Sequence, residues 1–216
     1  MAKQSEVRPD GRMRSRGANS KTPVASHHRT DPNAEAGRPQ FAYAPGAPVA
    51  GNPVLFEADE SDRRTDARYE WAFGDGATAT GRKASHVYET PGEHVVRLTV
   101  GEGDESRTVR KTVTVYREVD VTVGDRDEDG LLAVTLHASE GFDPADAVAV
   151  DSLRVGAPTA LAAGGGASPV RSESRDGDLR VRIPAAETRL REGDARVRVA
   201  GHTTDHVPVA GTVDPA

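Results

Sequence analysis

Residues 69–81 read "YEWAFGDGATATG" and hold the only tryptophan of the chain. Alternation places Tyr69, Trp71 and Phe73 on one face of a strand, with Glu70 and Ala72 on the other. Gly74, Asp75 and Gly76 then form a tight turn, where glycine permits positive φ. The stretch therefore reads as core followed by turn, rather than as the wall of a catalytic pocket. The pattern continues on both sides. "PVLFEA" puts Val54 and Phe56 together, "GEHVVRLTV" groups His94, Val96, Leu98 and Val100, and "RKTVTVY" groups Val113 and Val115. Period-2 alternation between turn clusters at short spacing predicts antiparallel strands with one wet face.

From Val119 a second set of short valine-rich runs begins: "VDVTV", "LLAVTLHA", "VAVDSLRV", "DLRVRIP", "ARVRVAG" and "VPVAGTV". Each is bounded by Gly, Asp or Pro and reads as a strand. "GGGASP" at 164–169 reads as a loop, and "DPADAV" and "AAETRL" as single helical turns. No long helical period and no fixed repeat appears. The expected fold is all-β, two tandem β-sandwiches over 39–116 and 117–216. They are preceded by a non-globular basic arm over 1–38.

Composition agrees. Only 36% of the 216 residues are hydrophobic and 4% aromatic, so valine and alanine must do most of the burying, which suits two small sandwiches. With no cysteine, disulfides, thiolate zinc sites and cysteine nucleophiles are excluded. No apolar run is long enough to span a membrane as a helix. The first residues carry no apolar signal segment, which predicts a route other than that kind of export.

Charge is uneven. Residues 1–40 hold eight cations and four anions, a net +4. The whole chain carries −6, and −6 minus +4 leaves −10 on the remainder. Arg8, Arg12, Arg14 and Arg16 are the expected anchoring residues of the arm, which has no periodicity and is rich in Gly, Pro, Ser and Asn. An arm without aromatic residues can touch nucleic acid through phosphates but is no specific reader of bases. Acidic excess with few bulky apolar residues also fits a salt-loving source.

The first set of strands resembles the PKD domain, an immunoglobulin-like β-sandwich. The likeness is carried by "YEWAFGDGATATG", "HVYETPGEHVVRLTV" and "KTVTV", over about residues 39–116. Ala72 stands where the family usually has Asp, and His94 where it usually has an aromatic residue. The resemblance implies a core of Phe56, Tyr69, Trp71, Phe73, Tyr88, Val96, Leu98 and Val100, with Trp71 between the sheets. It implies turns at Gly74, Asp75 and Gly76 and at Pro91 and Gly92. Tyr88 would tie a loop to backbone through its hydroxyl. The second set is similar to a β-rich module common at the C-termini of archaeal and bacterial surface proteins. No activity comes with that likeness.

Chemistry-bearing motifs are few. "DRDEDG" at 125–130 matches the first half of a calcium loop through Asp125, Asp127 and Asp129. Its twelfth position is Leu136 rather than Glu, and the competing reading is a solvated hairpin turn. The seven histidines lie apart, with His202 and His206 a weak pair. No nucleophile elbow or phosphate-binding loop occurs. The expectation is a non-enzyme without catalytic residues or cofactors, calcium being the one weak candidate. The favoured setting is a structural protein of a particle assembled inside the cell, such as a virion decorating its capsid or tail with Ig-like modules. The expected partners are a capsid, tail or other assembly surface and further copies of the chain as a homo-oligomer. The alternative is a cell-surface or secreted adhesion or accessory module, including a glycan-binding one.

Overall fold

In the computed structural model, residues 39–59, 67–101, 106–190 and 196–213 are described. The arm and its Arg8, Arg12, Arg14 and Arg16 lie outside them. The architecture is all-β, four sheets in a β-sandwich arrangement with two short helices.

The first two sheets hold strands β1 (Phe41–Ala44), β2 (Pro53–Ala58), β3 (Tyr69–Ala72), β4 (Thr78–Thr80), β5 (Lys83–Val87), β6 (Gly92–Val100) and β7 (Arg107–Val115). One sheet runs β1-β2-β5 and the other β4-β3-β6-β7, antiparallel throughout. Alternation along β2 buries Val54, Phe56 and Ala58 and exposes Pro53, Leu55 and Glu57. Such a strand can turn only one face to the facing sheet. The buried cluster joins Phe41, Val54 and Phe56 of one sheet to Trp71, Val96, Leu98, Val100, Val113 and Val115 of the other.

The other two sheets hold β8 (Arg117–Glu118), β9 (Val121–Arg126), β10 (Leu131–Leu136), β11 (Arg154–Gly156), β12 (Arg171–Arg175), β13 (Asp178–Pro184), β14 (Val197–His202) and β15 (Pro208–Val213). Their orders are β12-β13-β10-β9 and β11-β14-β15-β8, with β8 and β15 paired parallel. Helices α1 (Pro144–Ala147) and α2 (Pro158–Ala162) lie in the connections. A second buried cluster, from Val119 to Val209 in sequence, fills the space between these sheets and shares no residue with the first.

One sequence reading changes. "VAVDSLRV" is not one strand. Val150–Ser152 is a 3-10 turn, and only Arg154–Gly156 pairs in a sheet. Ser152 explains the break. Its Oγ donates to Ala149 O at 2.6 Å and accepts from His202 N at 3.0 Å, so a local side-chain bond replaces the ladder. Neither the helical turn α2 nor the strand β12 was expected from the sequence. The turn at α1 forms as expected, with the Asp143 carboxylate capping Ala145 N and Asp146 N.

Candidate functional site

The aromatic residues are the natural place to look for chemistry or ligand contact, and all nine lie among the described residues. Phe41, Phe56, Trp71, Phe73 and Tyr88 are buried. Trp71 meets Phe41 edge-on at 5.3 Å and Phe56 at 5.7 Å, and its Nε1 donates to Gly81 O at 2.8 Å. The indole thus spans the two sheets and satisfies its one donor, as a buried tryptophan must. Tyr43, Tyr69, Tyr116 and Phe142 are half-buried. Arg198 stacks over Tyr116 at 5.2 Å and Arg117 over Phe142 at 5.1 Å.

Below the Gly74–Gly76 turn sits a polar cluster that sequence reading did not single out. His86 Nε2 lies 2.6 Å from Asp75 Oδ2, and the imidazole stacks flat on Phe73 at 4.3 Å. It also meets Tyr88 edge-on at 4.5 Å. Tyr88 donates its hydroxyl to Phe73 O at 3.2 Å, and its pKa is pushed well above the ordinary value by burial and by Asp75. Burial works against the Asp75 carboxylate, but hydrogen bonds from Ala77 N and His86 outweigh it and hold its pKa below the usual value. His94 leans on Tyr88 at 4.3 Å, so the histidine standing for the family aromatic still packs as a ring. The cluster joins Asp75 to His86 and Tyr88, and its distances are those of a fastened turn. The spacing "GDG…HVY" was the sequence signal for it.

A second His–Asp pair fastens the other pair of sheets. Asp178 accepts from Ala138 N at 2.8 Å and lies 2.9 Å from His137 Nδ1, while His137 Nε2 lies 2.9 Å from Thr122 Oγ1. The backbone bond from Ala138, then that of His137, draws the Asp178 pKa down.

Of the calcium candidates, Asp125 lies near the end of β9, and Asp127 and Asp129 lie on the β9–β10 connection. Asp127 accepts from Leu131 N at 2.8 Å, and its other oxygen takes Arg182 Nη1 at 3.1 Å. Both oxygens are thereby engaged, while Asp125 and Asp129 stay exposed. Among the described residues, no group of three or more His, Cys, Asp or Glu side chains is arranged to hold a metal ion. His202 and His206 meet ring to ring at 5.3 Å, and His202 Nδ1 is engaged with Thr203 O at 2.9 Å.

Two surfaces remain open to other molecules. The outer face of β1-β2-β5 presents Ala42, Ala44, Leu55 and Val87, with Leu55 60% exposed and Lys83 bridged to Glu57 at 3.1 Å. The other is an open cavity of about 650 Å³ between the loop after β1 and the ends of α2 and β14. Arg154, Arg198, Ser152 and His202 supply its polar groups, and Pro45, Pro158 and Leu161 part of its apolar wall.

No helix among the described residues is long and apolar enough to cross a membrane. No curated protein matches the chain. Among solved structures, a carbohydrate-binding module of the β-sandwich superfamily, described for promiscuous specificity, is 17% identical with a TM-score of 0.33. The alignment covers 77% of this chain and 56% of the module's. A β-glucuronidase of Parabacteroides merdae is 14% identical over 83% of this chain and 25% of its own, at a TM-score of 0.27. A chimeric titin Z1Z2 carrying an exogenous KLER peptide from decorin is 8% identical over 82% and 95%, at 0.26. The chain thus spans about half the length of the first and a quarter of the second, and at these scores none bears on function. The family model of the PKD domain matches residues 29–117, beginning ahead of the first described strand. That match covers less than half of the chain, and the described strands within it form an Ig-like β-sandwich.

Proposed function

We propose that this chain is a non-enzymatic structural protein, displayed on an assembled particle such as a virion. Its two sandwiches, over 39–116 and 117–216, would decorate the capsid or tail. Residues 1–38 anchor it through Arg8, Arg12, Arg14 and Arg16. The observation that supports this most is the fate of the rings: none of the nine is fully exposed, and two of the four half-buried ones lie under arginines. Sugar recognition by stacking needs an open ring face, whereas protein contact can use small, apolar and charged surfaces. The +4 arm on a −10 body adds a second argument, because opposite charge steers the arm to an acidic shell. Deleting residues 1–38 tests the reading. Incorporation into particles is expected to be lost while the folded body keeps its melting behaviour, and incorporation that persists removes the anchoring role.

The family match favours a second setting, since PKD domains are typical of extracellular proteins. In that reading the chain is a cell-surface or secreted adhesion module. Surface labelling of intact producing cells separates the two, as label on cells free of particles supports the second.

A further inference from the structure

The cavity beside α2 and β14 carries positive charge that no acidic side chain among the described residues offsets. Arg198 is half-buried, lies over the Tyr116 ring at 5.2 Å, and has no carboxylate of the described residues within ion-pair distance. Arg154 spends one nitrogen on two backbone carbonyls, Asp151 O at 2.9 Å and Leu153 O at 2.7 Å, which fixes its guanidinium without neutralising it. Arg189 stands at the rim, its guanidinium carbon 3.8 Å from where a Cβ on Gly165 would lie. No Asp or Glu is among the described residues lining the cavity. On a body with net charge −10, three arginines without an acidic partner among the described residues are conspicuous. A half-desolvated cation without a counter-charge costs stability that an anionic ligand would recover.

The geometry points to an acidic peptide segment of a partner protein as the occupant. We propose that a carboxylate side chain of that segment meets the planar forks of Arg198 and Arg154, a geometry arginine favours. Its backbone lies along Gly164, where a Cβ would meet nothing within 4 Å, with the Arg189 guanidinium beside Gly165. Its aliphatic stems contact Pro45, Pro158 and Leu161. The volume, about 650 Å³, falls among ordinary ligand clefts. A nucleotide or a sugar ring fits less well, because Arg198 already covers a face of Tyr116, the aromatic ring in the lining. The inference does not depend on whether the protein is displayed on a particle or a cell.

The test uses the full chain and calorimetry with a blocked hexaglutamate peptide, against hexaglutamine as the neutral control. Hexaglutamate is expected to bind one per chain and hexaglutamine not at all. Affinity should fall at least tenfold between about 0.05 and 0.5 M salt, as screening shortens the reach of charge. Arg154→Gln, an exposed change compatible with the fold, should weaken binding severalfold, and Arg198→Gln at least tenfold. If Arg198→Gln does not fold, Arg198→Lys replaces it and should weaken binding by losing the planar fork. A variant with Arg8, Arg12, Arg14 and Arg16 all changed to Gln controls for the arm and should bind as the parent does. Binding that survives the cavity changes but vanishes with the arm changes overturns the site. Absence of binding by the parent overturns it as well. Pyrophosphate binding as tightly and displacing hexaglutamate would make it a small-anion site and overturn the peptide assignment.

Discussion

At the scale of single residues, two neighbouring glycines do different work. Gly74 has φ +93°, and a Cβ there would sit 2.8 Å from Val95 N and 2.9 Å from Val95 O. Gly76 has φ +100° but open space around it. Gly76→Ala therefore meets only backbone strain, about 1–3 kcal/mol. Gly74→Ala meets the same strain plus a clash with the backbone of β6, and should cost more. Denaturant midpoints of the two variants check the order, and equal losses would mean that the approach to Val95 is relieved cheaply. The motif announced both as turn glycines, but only the fold shows which one a facing strand pins. Asp75, between them, makes a pH prediction. Its folded pKa is lowered, so the stability it contributes is fully present above the unfolded aspartate value, about 3.9. That contribution is lost as pH falls through the lower folded value. Asp75→Asn should cost about 1–2 kcal/mol at neutral pH. The gap to the parent should then close as pH drops below about 4, which urea titrations from pH 7 to pH 2.5 would follow.

At the scale of elements, legibility followed hydrophobic contrast. β2, β3 and β6 alternate cleanly, because one face of each lies on the core and the other in water. β12, "RSESR", is exposed at every position and pairs only along one edge of β13, so its sequence has no inside to announce. Charged residues on such an edge also discourage stray pairing. The reverse error arose at "VAVDSLRV", where valines suggested a strand but Ser152 bonds locally and ties the turn to β14. The anionic run "DRDEDG" shows why a motif needs its surroundings. Asp127 has both oxygens committed, one to the β10 backbone and one to Arg182 on β13, a bond that joins the turn to the next strand. Asp127→Ala should cost about 1–2 kcal/mol by freeing Leu131 N and Arg182. Millimolar calcium should leave the melting temperature of the parent unchanged. A calcium-dependent rise would show that the turn rearranges around an ion.

At the scale of the whole molecule, two buried clusters without a common member set the expectation for cooperativity. The segment around Tyr116 links them. Val49 bridges Tyr116 on one side, Arg198 stacks on its ring on the other, and Val119 N donates to Ala210 O at 2.9 Å. A handful of contacts couples two cores weakly, and sites without shared partners behave nearly independently. Trp71→Ala removes the ring that touches Phe41 and Phe56, and such a truncation costs about 3–5 kcal/mol. That loss belongs to the first cluster alone. Calorimetry of the variant should show one transition moved down and a second left near its parent temperature. A single transition moving as a whole would mean that the segment around Tyr116 transmits unfolding from one cluster to the other. Tyr116→Ala decides between these mechanisms, because removing the ring cuts its stack with Arg198 while leaving both clusters intact. If the two transitions separate further in that variant, the stack with Arg198 is the coupling.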